Sequence, residues 1–189
     1  MSERMISRSP SAAAPRASSP RVPAAPTALA PALALRDVTV RYEGREALRN
    51  LTVAIEPGQF VLVTGPSGCG KSTLALAACG LIPHARAADL EGSVAVFGCD
   101  TRTRPVHALA GQIGIVFQDP SAQLFHGVVD EEVAFAPRNL GLPGDEVDRR
   151  VAWAMGAVGI SHLSGRLTQS LSAGERQRLA VAAALSLQP

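Results

Sequence analysis

One short run limits this chain more than any other: Gly65-Pro-Ser-Gly-Cys-Gly-Lys71-Ser72-Thr73, which fits G-x-x-x-x-G-K-[ST]. An apolar run, Phe60–Thr64, precedes it and reads as a strand, and a helix-like run, Thr73–Cys79, follows it. Strand, glycine-rich turn and helix in that order predict a loop that wraps phosphate. Glycines let the backbone close in where a Cβ would collide. The wrapped N–H groups and the helix N-terminus then offer positive potential to an anion. Gly65, Ser67, Gly68, Cys69, Gly70, Lys71, Ser72 and Thr73 are therefore candidate nucleotide-binding positions. Lys71 is set to reach the β- and γ-phosphates and Ser72 to hold Mg²⁺. The competing reading is a purely structural glycine-rich turn, and the flanking strand and helix argue against it.

A chain of 189 residues suits one domain, and 47% hydrophobic residues suffice for a core. The net charge of +2 gives no reason to expect a nucleic-acid partner. No apolar run approaches the ~20 residues of a membrane span, so any membrane link must come through a partner. The three cysteines, Cys69, Cys79 and Cys99, form no C-x-x-C pair. Their odd number fits a reducing compartment. Cys69 is either a thiol activated near a helix N-terminus or simply a small residue that the loop tolerates, and the second reading is preferred. The four histidines lack ligand spacing, and no zinc site is read.

Residues 1–31 are mostly Ser, Pro, Ala and Arg and read as a disordered tail. The composition is like that of a transit peptide, but the prolines oppose an amphipathic helix. The folded part begins near Ala32. Strands are expected at Leu33–Tyr42, Leu51–Ile55, Phe60–Thr64, Ser93–Phe97 and Ile113–Phe117, with turns at Glu43-Gly44 and Pro57-Gly58. From Pro120 the pattern turns helical. Helices are expected near Asp130–Phe135, Asp145–Val158 and Ser172–Leu187, with a breaker-rich stretch from Pro137 to Gly144.

Leu171-Ser-Ala-Gly-Glu175, just ahead of a basic and apolar helix, resembles the LSGGQ signature of ABC-transporter ATPases. Ser172 and Gly174 match that signature; Ala173 stands for a glycine and Glu175 for a glutamine. In that family the signature of one subunit closes over the γ-phosphate held by the other. Read without the resemblance, Ser172 is a helix N-cap with Glu175 at N3, a capping box. Gln118, after Ile113–Phe117, matches the family's Q-loop glutamine, which contacts Mg²⁺ and the attacking water. The stretches Gln118-Asp-Pro-Ser-Ala-Gln-Leu-Phe125, Val129-Asp-Glu-Glu-Val-Ala-Phe135 and Asn139-Leu-Gly141 look like the ATPases of energy-coupling-factor transporters, importers of vitamins, cobalt or nickel. Tyr42 stands where that family stacks an aromatic on adenine; an ordinary strand aromatic is the alternative.

The resemblance covers about Leu33 to Pro189 and implies an α/β P-loop NTPase of ABC type. It would have a β-rich N-terminal subdomain and an α/β core with a helical insertion at about 120–170. It also implies ATP and Mg²⁺ as ligands, a second ATP-binding subunit, identical or related, and transmembrane subunits as partners, at the cytoplasmic face of the membrane. In the family an Asp-Glu strand end, Walker B, and a switch histidine follow the signature helix. Here no Asp or Glu follows Glu175, and His84, His107, His126 and His162 all precede the signature. Residues 32–189 are thus expected to form a partial domain lacking its C-terminal core strands. Taken alone, it is expected to be poorly soluble or only partly folded. A truncated nucleotide-binding module without catalysis is the alternative, and a small-molecule kinase is a third reading.

Overall fold

The computed structural model describes residues Ala30–Pro189. The tail read over 1–31 lies, but for its last two residues, outside the described residues.

Strands β1 (Leu33–Tyr42) and β2 (Arg45–Ile55) form a hairpin. Its two-residue turn has Glu43 at φ 48° and Gly44 at φ 79°. Positive φ at both turn positions matches the right-handed strand twist, which is why such tight hairpins use them. Strands β3 (Asp89–Val96) and β4 (Cys99–Asp100) complete a four-stranded antiparallel sheet in the order β2-β1-β3-β4. The alternation read in β1 places Leu35, Val38 and Val40 in a core with Ile82 and Val94. Register shifts near Val38 break the strict alternation. At one of them the Asp37 N–H donates to Thr52 Oγ1 at 2.9 Å instead of to a strand carbonyl.

Helix α1 (Lys71–Ala78) lies against this sheet, with Leu74 and Leu76 packed on its core. Two one-turn helices, α2 (Leu81–His84) and α3 (Val106–Leu109), follow. A second core joins α4 (Val129–Asn139), α5 (Gly144–Ala157) and α6 (Ala173–Leu185). Val129, Val133, Met155, Ile160, Leu163 and Leu179 fill it. Helix α4 runs through Pro137 to Asn139, three residues into the expected breaker region. A proline near a helix C-terminus removes one N–H donor without ending the helix at once.

Two expected strands do not form. Phe60–Thr64 and Ile113–Phe117 belong to no helix and no sheet. Phe60 is 92% exposed and Leu62 75% exposed. A strand requires a partner strand for its N–H and C=O groups, and among the described residues none pairs with either segment. At Ile113–Phe117 a side chain takes part of that role. Gln123 Nε2 donates to the Ile115 carbonyl at 3.3 Å, and the Phe117 N–H donates to Gln123 Oε1 at 3.0 Å. The described sheet is therefore wholly antiparallel, and the P-loop hangs between an unpaired segment and α1.

Candidate functional site

The glycine-rich loop is shaped from both sides. Gly70 caps α1 at φ 94°. A Cβ there would come within 2.4 Å of the Ala47 carbonyl oxygen and 2.9 Å of Leu48 Cδ2. The hairpin strand β2 is thus the wall against which the loop is folded. No side chain caps the α1 N-terminus and no acidic residue occupies its first turn. Its unsatisfied N–H groups and positive dipole end are available to an anion. Lys71 Nζ donates to the carbonyls of Gly65 at 2.8 Å and Pro66 at 2.7 Å, with Cys69 Sγ at 3.5 Å.

One cleft gathers Ala47, Ser67, Gly68, Gly70, Lys71, Ser72, Thr73 and Gln118. Gln118 lies far along the chain from Ser72 and yet shares its cleft. This arrangement fits a nucleotide and Mg²⁺: a glycine-rich turn at an uncapped helix N-terminus, an ammonium, a hydroxyl and an amide oxygen. Gly65 lies just outside the cleft and holds Lys71 through its carbonyl. Cys69 is exposed in the loop, whereas Cys79 is buried and desolvation pushes its thiol up to about 11. Tyr42 ends β1, half-buried against the sheet core, and does not line the cleft. The apolar hollow between Cys79, Leu109, Ile115, Phe125, Phe135 and Leu187 lies apart from the loop and has carbon-rich walls unsuited to phosphate.

Ser172 is the N-cap of α6, and the capping box is complete. The Glu175 N–H donates to Ser172 Oγ at 3.3 Å, and the Ser172 N–H donates to Glu175 Oε2 at 2.7 Å. Hydrogen bonds from the Ser172 hydroxyl, then from its backbone N–H, hold the Glu175 carboxyl below its ordinary range. Ser172, Ala173 and Gly174 are exposed. None of them, nor Glu175, lines the cleft around Lys71. The chain brings Gln118 to the loop but leaves the 172–175 turn apart from it.

Sequence reasoning passed over Glu132. It is 4% exposed on α4, and its Oε2 accepts from the N–H groups of Phe125 at 2.8 Å and His126 at 2.7 Å. Thr168 Oγ1 donates to the His126 carbonyl at 2.8 Å. These bonds tie the segment after Gln118 to α4 and to the approach of α6. The signal was present: Glu132 stands between Val129 and Val133 on the inward stripe of α4, where a charge needs partners.

The sequence profile of the ABC transporter family matches residues 48–189. The chain belongs to this family. ABC transporter ATP-binding proteins of Pyrococcus horikoshii and Pyrococcus abyssi are 45% and 41% identical to it over 157 residues, 82% of this chain. The chain spans about half the length of those relatives, 55% and 56%. The solved structure of CbiO1 from Clostridium perfringens, part of the ABC transporter complex CbiONQ, superimposes with a TM-score of 0.74 at 32% identity. That match covers 85% of this chain and 63% of CbiO1. The fold is accordingly that of an ABC-type P-loop NTPase, with the antiparallel sheet and the helical region of such ATPases.

Proposed function

We propose that this chain is the nucleotide-binding part of an ATPase subunit that energises an importer of the energy-coupling-factor type, for a vitamin or a transition metal. The observation that carries the reading is the single cleft holding Lys71, Ser72 and Gln118 beside the uncapped N-terminus of α1. ATP phosphates would lie on the amides of the 65–73 loop under Lys71, with Mg²⁺ held by Ser72 and Gln118 and adenine against Tyr42. When bound, Mg²⁺ neutralises charge on the phosphates during phosphoryl transfer. The chain's own residues position the nucleotide and polarise it, and Gln118 orients water beside it.

Ser172, Ala173, Gly174 and Glu175 would meet the γ-phosphate of a second subunit, identical or related. Their exposure, away from their own loop, supports that division. Transmembrane subunits would supply the membrane link at its cytoplasmic face. The similarity to CbiO1, part of a transporter complex, supports such partners. No helix among the described residues is long and apolar enough to cross a membrane.

Substituting Ser172→Arg in the full-length protein should abolish ATP-driven transport and lower ATPase activity by about 10²-fold or more, as loss of a charge-stabilising contact does. It should leave nucleotide binding by the loop intact. Unchanged transport and ATPase activity would defeat the transporter reading and favour another P-loop enzyme.

A further inference from the structure

Ser172 has one hydroxyl proton, and that proton is committed to Glu175. Ser172 Oγ–H donates to Glu175 Oε2 at 2.6 Å, and the Ser172 N–H donates to the same oxygen at 2.7 Å. What the hydroxyl has left to offer is lone pairs, the wrong polarity for a phosphate oxygen. The carboxylate also adds a full negative charge at a helix N-terminus whose dipole would otherwise favour an arriving anion. Arg166 and Arg178 act on it only through space, and neither forms an ion pair with it. A glutamine, which the family's signature carries here as an alternative to glutamate, keeps the cap without the charge, since Glu and Gln both serve at N3.

We infer that Glu175 is an electrostatic brake: it holds the Ser172 hydroxyl and repels the γ-phosphate, raising the nucleotide concentration at which two subunits close. The inference rests on the reading that Ser172 receives the γ-phosphate of a second subunit. It gives Glu175 a positioning role through Ser172, with a sign opposite to that of a merely structural cap. Removing a cap weakens the fold and its assembly, whereas removing a brake strengthens assembly.

The test uses the full-length protein, Mg²⁺ and a non-hydrolysable imido analogue of ATP, with subunit pairing read by light scattering. Glu175→Gln should lower the analogue concentration for half-maximal pairing by about tenfold, close to the size of a like-charge contact in a well-hydrated setting. The gap should shrink between about 50 mM and about 500 mM salt, because exposed charges are screened. Equal or weaker pairing by Glu175→Gln overturns the brake. So does a gain that salt leaves intact, since repulsion would then not be its source. Ser172→Arg is the control for the underlying reading. Pairing that survives Ser172→Arg, or that no version of the protein shows, defeats that reading. Pairing lost in Ser172→Arg but unimproved in Glu175→Gln defeats the brake alone.

Discussion

At Gly70 two constraints meet, a left-handed backbone and the Ala47 carbonyl that stands 2.4 Å from where a Cβ would be. The conformation alone costs an L-residue roughly 1–2 kcal/mol, and no side-chain rotation relieves a clash with backbone. Gly70→Ala should lower the melting temperature and weaken ATP binding by at least about tenfold, the equivalent of about 1.4 kcal/mol. Titration with a fluorescent ATP analogue measures it, and unchanged affinity would show that the loop does not depend on this wall. The cysteines give a second reading of the same site. At neutral pH maleimide should label exposed Cys69, and Mg²⁺–ATP should slow that labelling. Buried Cys79, its thiol raised to about 11, should stay silent until the protein unfolds. Equal labelling of Cys69 with and without ATP would mean that the loop holds no nucleotide. The loop residues were legible in the sequence because their chemistry is local: spacing along the chain is spacing in space. Gln118 was legible only through a family resemblance, since nothing in its neighbours tells that it folds back to Ser72.

Among the elements, α6 illustrates how one turn serves two ends. Ser172→Ala should remove its N-cap and cost about 1 kcal/mol. Glu175, the other half of the box, has its carboxyl lowered first by the Ser172 hydroxyl and then by the backbone N–H. Such a group stabilises fully above the ordinary glutamate range, about 4.3. That contribution disappears as pH falls through the lowered value in the folded protein. The difference in melting temperature between wild type and Glu175→Gln should therefore be flat at neutral pH and change only in acid. A difference that grows from pH 6 to 8 would assign the effect to another group. On α4, Glu132→Ala would leave the N–H groups of Phe125 and His126 without their partner, at about 1–3 kcal/mol for each unsatisfied group. Hydrogen exchange at those two amides should accelerate, and unaltered protection would show that the carboxylate does not hold the segment. Helices α4 and α5 were legible because amphipathic periodicity belongs to a single segment, and α6 because Ser172 and Glu175 spell a capping box at its start. Phe60–Thr64 and Ile113–Phe117 were read as strands on the same kind of evidence, but a strand is a relation between two segments. Periodicity names an apolar run and cannot supply its neighbour.

For the molecule as a whole, the exposed run Phe60, Val61, Leu62 and Val63 is the feature most at odds with an isolated protein in water. Contiguous apolar surface beside unpaired backbone is a template for association. The 189-residue chain made alone should bind a hydrophobic dye and run as a mixture of sizes in light scattering. A sharp, cooperative thermal transition from a dye-free monomer would count strongly against this. The Lys71 clasp bears on a different property. Its ammonium is tied to the carbonyls of Gly65 and Pro66, so the loop is closed into a ring by its own chain. A binding surface stiffened in this way loses little conformational freedom when a ligand settles. Differences in nucleotide affinity among loop variants should then appear as residence time rather than speed of arrival.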